Sequence, residues 1–169
     1  MGEEVVPVTV AHTGCPGEMR LGTEGRKVMA KYEEVAATLA GVDAPPLHHY
    51  SFYGATSRAD WDQIVQLHVA RLGYQQGQSV FEAGCAAGAF LDSLVRQFKV
   101  SVSGADISPS LISVARSRVQ PSTPEPLVPT SLPAFCVADA KNLSHLPSSS
   151  FDHTLAFGVL TYADSHTEA

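Results

Sequence analysis

The sequence predicts an α/β fold, a mostly parallel sheet with flanking helices, and three observations carry that prediction. Short apolar runs at residues 79–83, 100–105, 134–138 and 151–157 alternate with stretches of helical apolar spacing. The connections between the runs are long enough for crossovers rather than tight hairpins. Each run also stops at an acid or a glycine: Glu82, Asp106, Asp139 and Gly158. In parallel sheets ligands bind beyond the carboxyl ends of the strands, near the point where strand order reverses.

Taken in order, residues 1–25 are punctuated by Pro7, Pro16 and several glycines, which predicts a mobile leader. Residues 26–39 place Val28, Tyr32, Val35, Ala36 and Leu39 at helical spacing, with Gly41 as a stop. Ala44-Pro45-Pro46 breaks the chain, and residues 47–56 are aromatic-rich and irregular. Trp61, Ile64, Val65, Leu67, His68 and Leu72 make the next amphipathic pattern, with Asp60 as its expected cap and Gly73 at its end. Residues 1–25, 26–73 and 74–169 thus read as a leader, a helical and aromatic cap, and an incomplete ligand-binding α/β unit.

The strand at residues 79–83 runs into a small-residue loop, Gly84-Cys85-Ala86-Ala87-Gly88, and then a helix through Phe90, Leu91, Leu94, Val95 and Phe98. Glycines there let a ligand approach the backbone, and the helix start adds free N–H groups. After the second strand, Ser108 and Pro109 suit a cap and a first helical position. Residues 120–133 hold five prolines and predict a surface loop. Residues 163–169 could begin another helix.

Composition narrows the function classes. Charged residues are 17% of the chain, below the roughly 25% usual for soluble domains, and the net charge is −6. With no basic run, neither a nucleic-acid surface nor an acidic-membrane surface is expected. No stretch nears the roughly 20 apolar residues of a membrane span, and no secretory signal pattern stands at the start. Cys15, Cys85 and Cys136 are odd in number, far apart and without zinc spacing, so reduced, partly buried thiols and a cytoplasmic setting are expected.

The loop spacing discriminates between ligands. A dinucleotide loop wants GxGxxG, whereas the register from Gly84 gives Gly84, Ala86 and Ala89. An acid two residues before the first glycine suits a cationic or zwitterionic ligand better than a pyrophosphate. A nicotinamide-dependent oxidoreductase is accordingly disfavoured. Other candidates read as structural. Cys85 has no base tied to it and reads as a loop filler. His48 and His49 read as solvent-facing, with no third metal ligand in register. His68 reads as a packing or surface residue, His153 as a core histidine and Trp61 as a core anchor.

Four stretches together, FEAGCAAGAF, GADIS followed by Pro, VADA and FDHTLAFGVLTY, resemble the successive motifs of the class I S-adenosylmethionine-dependent methyltransferases. The resemblance covers residues 60–169 and implies a Rossmann-like methyltransferase fold. It implies S-adenosyl-L-methionine as cofactor; no metal is expected, because neither the cysteines nor the histidines have ligand spacing. Gly84, Cys85, Ala86 and Gly88 would lie under its methionine part, with Glu82 ordering the loop. Asp106 would accept from the ribose hydroxyls and Ile107 would pack on adenine. Asp139 would accept from the adenine amino group and Ala140 would donate a backbone N–H. Phe157, Gly158 and Val159 would lie near the transferred methyl, and Tyr50 and Tyr53 would fold over the cofactor.

Two departures from the family pattern stand out. Ala86 replaces a usual glycine, which is harmless at negative φ and unfavourable otherwise. The family fold also continues with three more strands that this sequence does not supply. The chain therefore reads as C-terminally truncated, with an open sheet edge for a partner chain or a second copy to cover. Two functions follow: methyl transfer to a small-molecule acceptor, mainly by positioning and with no general base assigned, or a truncated, non-catalytic or partner-dependent cofactor binder.

Overall fold

The computed structural model describes residues 6–8, 15, 19–40, 46–50, 57–119 and 134–159. Strands β1 (Val6–Val8) and β2 (Met19–Leu21) form an antiparallel pair. Helix α1 (Thr23–Ala40), a 3-10 turn (Leu47–Tyr50) and helix α2 (Arg58–Leu72) follow. Then come β3 (Ser79–Ala83), α3 (Ala89–Phe98), β4 (Ser101–Asp106), α4 (Pro109–Arg118), β5 (Phe135–Val137) and β6 (His153–Leu155). The last four strands form one parallel sheet in the order β5-β4-β3-β6.

That order fixes where a ligand can sit. The chain steps outward from β3 to β4 to β5, then returns to place β6 on the other side of β3. Strand order reverses beside β3, so the crevice opens at its carboxyl end, at the loop beginning with Gly84. Register aligns the strand ends: Ala83 faces Ala105, Asp106 faces Val137 and Glu82 faces Leu155. Every residue of β3 and β4 is buried, as expected for a parallel sheet covered on both faces.

Alternation along the strands divides the core. Val80, Val100, Val102 and Val137 pack with Trp61, Val65, Phe90, Leu91, Leu94 and Ile112. Phe81, Ala83, Ala105 and Cys136 face the other side, against Leu143, Leu146 and Phe151. Trp61 is 1% exposed, meets Phe90 edge-on and donates its indole N–H to Ser93 Oγ at 2.9 Å. It is the core anchor that the sequence predicts, with its single polar atom partnered.

The observed elements sharpen several boundaries. Ser57, not Asp60, is the N-cap of α2: its Oγ accepts from the Asp60 N–H and donates to Asp60 Oδ2. This is the reciprocal cap that Ser-x-x-acid permits. Ser108 caps α4 with Pro109 at its first position, and Gly73 ends α2 in left-handed geometry, both as expected. Residues 1–25 hold two paired strands rather than no elements, because Leu21, fully buried, anchors β2 below α1.

Two thiol expectations are corrected. Cys15 and Cys136 are joined by a disulfide; Cys85 alone is free, and buried. The bonded pair is 121 residues apart in sequence, so no local spacing announces it. Cys15 reaches Cys136 because its N–H donates to the Val137 carbonyl at 3.2 Å, along the edge of β5. Cysteine usage therefore no longer argues for a reducing compartment. His48 is buried rather than solvent-facing, whereas His49 is exposed. The expectations for residues 120–133 and 163–169 lie outside the described residues.

Gly88 heads α3 at φ +76°, and a Cβ there would meet Val119 Cγ2 at 2.8 Å. Gly88→Ala thus adds a left-handed alanine to a contact shorter than van der Waals distance. The substitution should destabilise the chain by about 2–4 kcal/mol, read as a lower urea midpoint at unchanged slope.

Candidate functional site

At the reversal point lies a cavity of about 220 Å³. Its floor is the loop after β3. Gly84 and Gly88 take φ of +72° and +76°, and Ala86 takes +49°. Three left-handed residues in five turn the chain back over β4. The Gly84 and Cys85 N–H groups both donate to the Ala105 carbonyl, at 2.7 and 3.0 Å. Room for this comes from Gly104, where a Cβ would meet Cys85 Sγ at 2.7 Å. Ala86 is thus in the unfavourable conformation that the sequence left open, and a bond holds it there: its N–H donates to Asp106 Oδ2 at 2.9 Å.

Asp106 is the hinge of the site. Its other oxygen accepts from the Ser108 N–H at 2.9 Å, so one carboxylate ties the loop to the start of α4. Burial pushes its pKa up; the backbone N–H groups of Ser108, Ala86 and Ile107 pull the other way. A carboxylate has about four acceptor positions, so these backbone bonds still leave capacity for a ligand. Burial also drives the Cys85 thiol well above its usual pKa, with Asp106 and Glu82 adding to the effect. Cys85 is therefore a neutral wall residue, not a nucleophile.

The remaining walls come from five further segments. Glu82, 2% exposed, reaches the cavity from β3, and Ile107 from the turn after β4. Ala138, Asp139, Ala140 and Lys141 follow β5, where Asp139 Oδ1 accepts from the Lys141 N–H at 3.0 Å. Phe157, Gly158 and Val159 follow β6, and Val159 lies so close to Gly84 that a Cβ there would be 2.8 Å away. Tyr50, 4% exposed, closes one side, with the Arg118 guanidinium 5.9 Å from its ring centre. Twelve of the fourteen residues expected from sequence line this one cavity. Gly88 instead packs behind it on Val119, Ala115 and Phe135, and Tyr53 lies outside the described residues.

Sequence reading missed a sixth segment. Glu24, Gly25, Val28 and Tyr32 of α1 also line the cavity. Their helix is held there by Glu33. Ser108 Oγ donates to Glu33 Oε1 at 2.5 Å, Ser110 Oγ donates to Oε2 at 2.5 Å, and the Ser110 N–H donates to Oε1 at 3.1 Å. An acid at the N-terminus of α4 also meets that helix's partial positive charge. Partial burial raises the pKa of Glu33, but the three hydrogen bonds outweigh it and the net shift is downward. Glu33 lies 75 residues from Ser108, so only the amphipathic pattern around Tyr32 and Ala36 could have pointed to this face.

His68 stays outside the cavity, edge-on to Phe157 at 4.5 Å and Phe90 at 5.4 Å, a packing role as expected. His153 lies in β6, edge-on to Tyr74, with Nε2 at 3.0 Å from Gln78 Oε1.

Comparison with known proteins bears on this arrangement. Residues 81–169, about half the chain, match the family model described as a methyltransferase domain. No protein of curated function matches the sequence. Among solved structures, phosphoethanolamine N-methyltransferase 2 of Haemonchus contortus, in complex with phosphomonomethylethanolamine and S-adenosylhomocysteine, is similar in fold. It is 16% identical at a TM-score of 0.58 over 88% of this chain and 33% of that one. Magnesium protoporphyrin IX methyltransferase of Synechocystis PCC 6803, with bound SAM, is 22% identical at 0.51 over 82% and 64%. The [4+2]-cyclase SpnF is 20% identical at 0.54 over 84% and 50%. This chain thus spans about a third to two thirds of the length of these structures.

Two substitutions test the geometry. Ala86→Gly should raise stability by about 0.5–1 kcal/mol, since relief of the left-handed alanine exceeds the added chain entropy. Glu33→Ala should lower it by about 1–3 kcal/mol by removing three bonds to a carboxylate. The folded pKa of Glu33 is depressed, so its contribution is full above the ordinary glutamate range and is lost as pH falls through the folded value. Urea titrations of both chains between roughly pH 3 and 7 should show wild type and variant converging at the acid end.

Proposed function

The chain belongs to the methyltransferase-domain family, and on that premise we propose that it binds S-adenosyl-L-methionine in the cavity beyond β3, β4 and β5 and directs methyl transfer to a small-molecule acceptor. The observation that carries the reading is the convergence of Glu82, Asp106 and Asp139 with the left-handed loop on a single cavity. The donor and acceptor chemistry fits the cofactor. Asp106 is an acceptor-only carboxylate, suited to a ribose diol. Asp139 accepts from an adenine amino group while Ala140 offers its N–H. Ile107 supplies an apolar surface for the base. Glu82 offers negative charge beside the loop, where the cofactor's methionine ammonium belongs.

When bound, the cofactor supplies a methyl group already activated on a sulfonium. The chain's own residues therefore need mainly to hold and orient two reactants and to exclude water. Val28, Tyr32, Tyr50 and Phe157 give the cavity apolar and aromatic walls that suit a small acceptor, and aromatic faces favour a cation. No basic surface run favours a nucleic-acid acceptor. Among the described residues no helix is long and apolar enough to cross a membrane. Within the described sheet β6 is an edge, and a partner chain or second copy there is part of the reading.

Calorimetric titration with S-adenosylhomocysteine tests the cofactor. Saturable binding at one site per chain is expected, with no heat from NADH; the reverse pattern defeats the reading. Asp106→Ala should weaken binding roughly 30- to 1,000-fold, from the loss of about 2–4 kcal/mol of ribose hydrogen bonding. A thermal melt of the same variant separates lost binding from lost folding. Labelled methyl transfer into a metabolite extract then distinguishes catalysis from cofactor binding alone.

A further inference from the structure

A second cluster of reactive groups lies across the sheet from the main core. Cys15 Sγ, Cys136 Sγ and an imidazole nitrogen of His145 all fall within 4.8 Å of one another. Both cysteines are at least nine-tenths buried, and they pack with Phe81, Ala83, Ala105 and Ala138. The Nε2 atom of His145 is buried and has no hydrogen-bond partner. A buried imidazole nitrogen without a partner costs roughly 1–3 kcal/mol and requires an explanation. Three separate segments supply the set: residue 15, strand β5, and the turn that holds His145.

We propose that the reduced form of this cluster is a binding site for a thiophilic d10 metal ion, zinc foremost, with Cys15, Cys136 and His145 as its three protein ligands. Two thiolates and one imidazole select zinc over hard cations such as magnesium or calcium. Around tetrahedral zinc, sulfurs bound at about 2.3 Å stand roughly 3.8 Å apart, within the span this cluster covers. The fourth position falls to water, as in sites with three protein ligands. The orphaned His145 Nε2 is the lone pair such an ion would take.

The disulfide and the metal site are alternative states of the same sulfurs. Opening the Cys15–Cys136 bond takes two electrons and two protons from a dithiol reductant, which itself becomes a disulfide. Zinc then displaces both thiol protons, leaving two zinc–thiolate bonds and one zinc–imidazole bond. Either bond set ties the segment at Cys15 to the edge of β5, so the tie survives a change of redox environment. The zinc site is independent of the cofactor cavity, because none of its three ligands lines that cavity.

The test uses the whole chain. Protein reduced with dithiothreitol, freed of reductant under argon, is loaded with Zn²⁺, passed over a chelating resin and assayed for metal. One zinc per chain is expected from reduced protein and none from oxidised protein. Co²⁺ in place of zinc should give a sulfur-to-cobalt charge-transfer band. Cys15→Ser and Cys136→Ser should each weaken zinc binding more than about 100-fold, and His145→Ala about 10- to 100-fold, whereas Cys85→Ser should keep it. Circular dichroism of each variant establishes that it is folded. Reduced wild type that retains no zinc, a cobalt complex without the sulfur band, or folded Cys15→Ser and His145→Ala variants that bind like wild type would overturn the proposal.

Discussion

The carboxylate of Asp106 is the interaction on which the rest of the site depends. It holds Ala86 in a backbone conformation that alanine disfavours, and it fixes the first turn of α4 in the same stroke. The loop could not turn over β4 without a glycine at 104, nor close against Val159 without one at 84. These are steric requirements of one small volume, met by residues from three strands. The position of the cavity follows from sheet order, but its shape follows from this carboxylate and the two glycines.

A second carboxylate decides whether the cavity has a roof. Glu33 spans from α1 to the start of α4, where Ser108 and Ser110 give it three donors. The two acids converge on one residue: Asp106 accepts from the Ser108 backbone while Glu33 accepts from its side chain. Ser108, fully buried, is thus shared between floor and roof. The same serine also accepts from the Leu111 N–H as the cap of α4. One residue therefore couples the helix start and the wall formed by α1 through its hydroxyl, and the loop through its backbone N–H to Asp106.

Much of this was legible in the residues. The four runs of β3 to β6, the Ser108-Pro109 start of α4 and the acids at strand ends are local signals, and each stands where its chemistry predicts. The cavity gathers twelve of the expected residues because strand ends in a parallel sheet necessarily converge. What stayed hidden is non-local. The Glu33 ties and the Cys15–Cys136 bond join residues far apart in sequence, where no periodicity or spacing carries information. Gly88 also has a steric role that its place in the motif does not announce: its missing Cβ makes room for Val119.

The walls of the cavity run from Glu24 on α1 to Val159 beyond β6, and this separation governs how the site forms. The hairpin-free succession β3-α3-β4-α4 can organise from contacts within about forty residues. The pairing of Val80 with His153 must close a far longer loop and carries the larger entropic penalty. On a ribosome Glu33 of α1 emerges 75 residues before the first serine it binds, and earlier still than Val159. The cavity is closed only when β6 has docked, because until then the floor at Gly84 lacks its opposing wall.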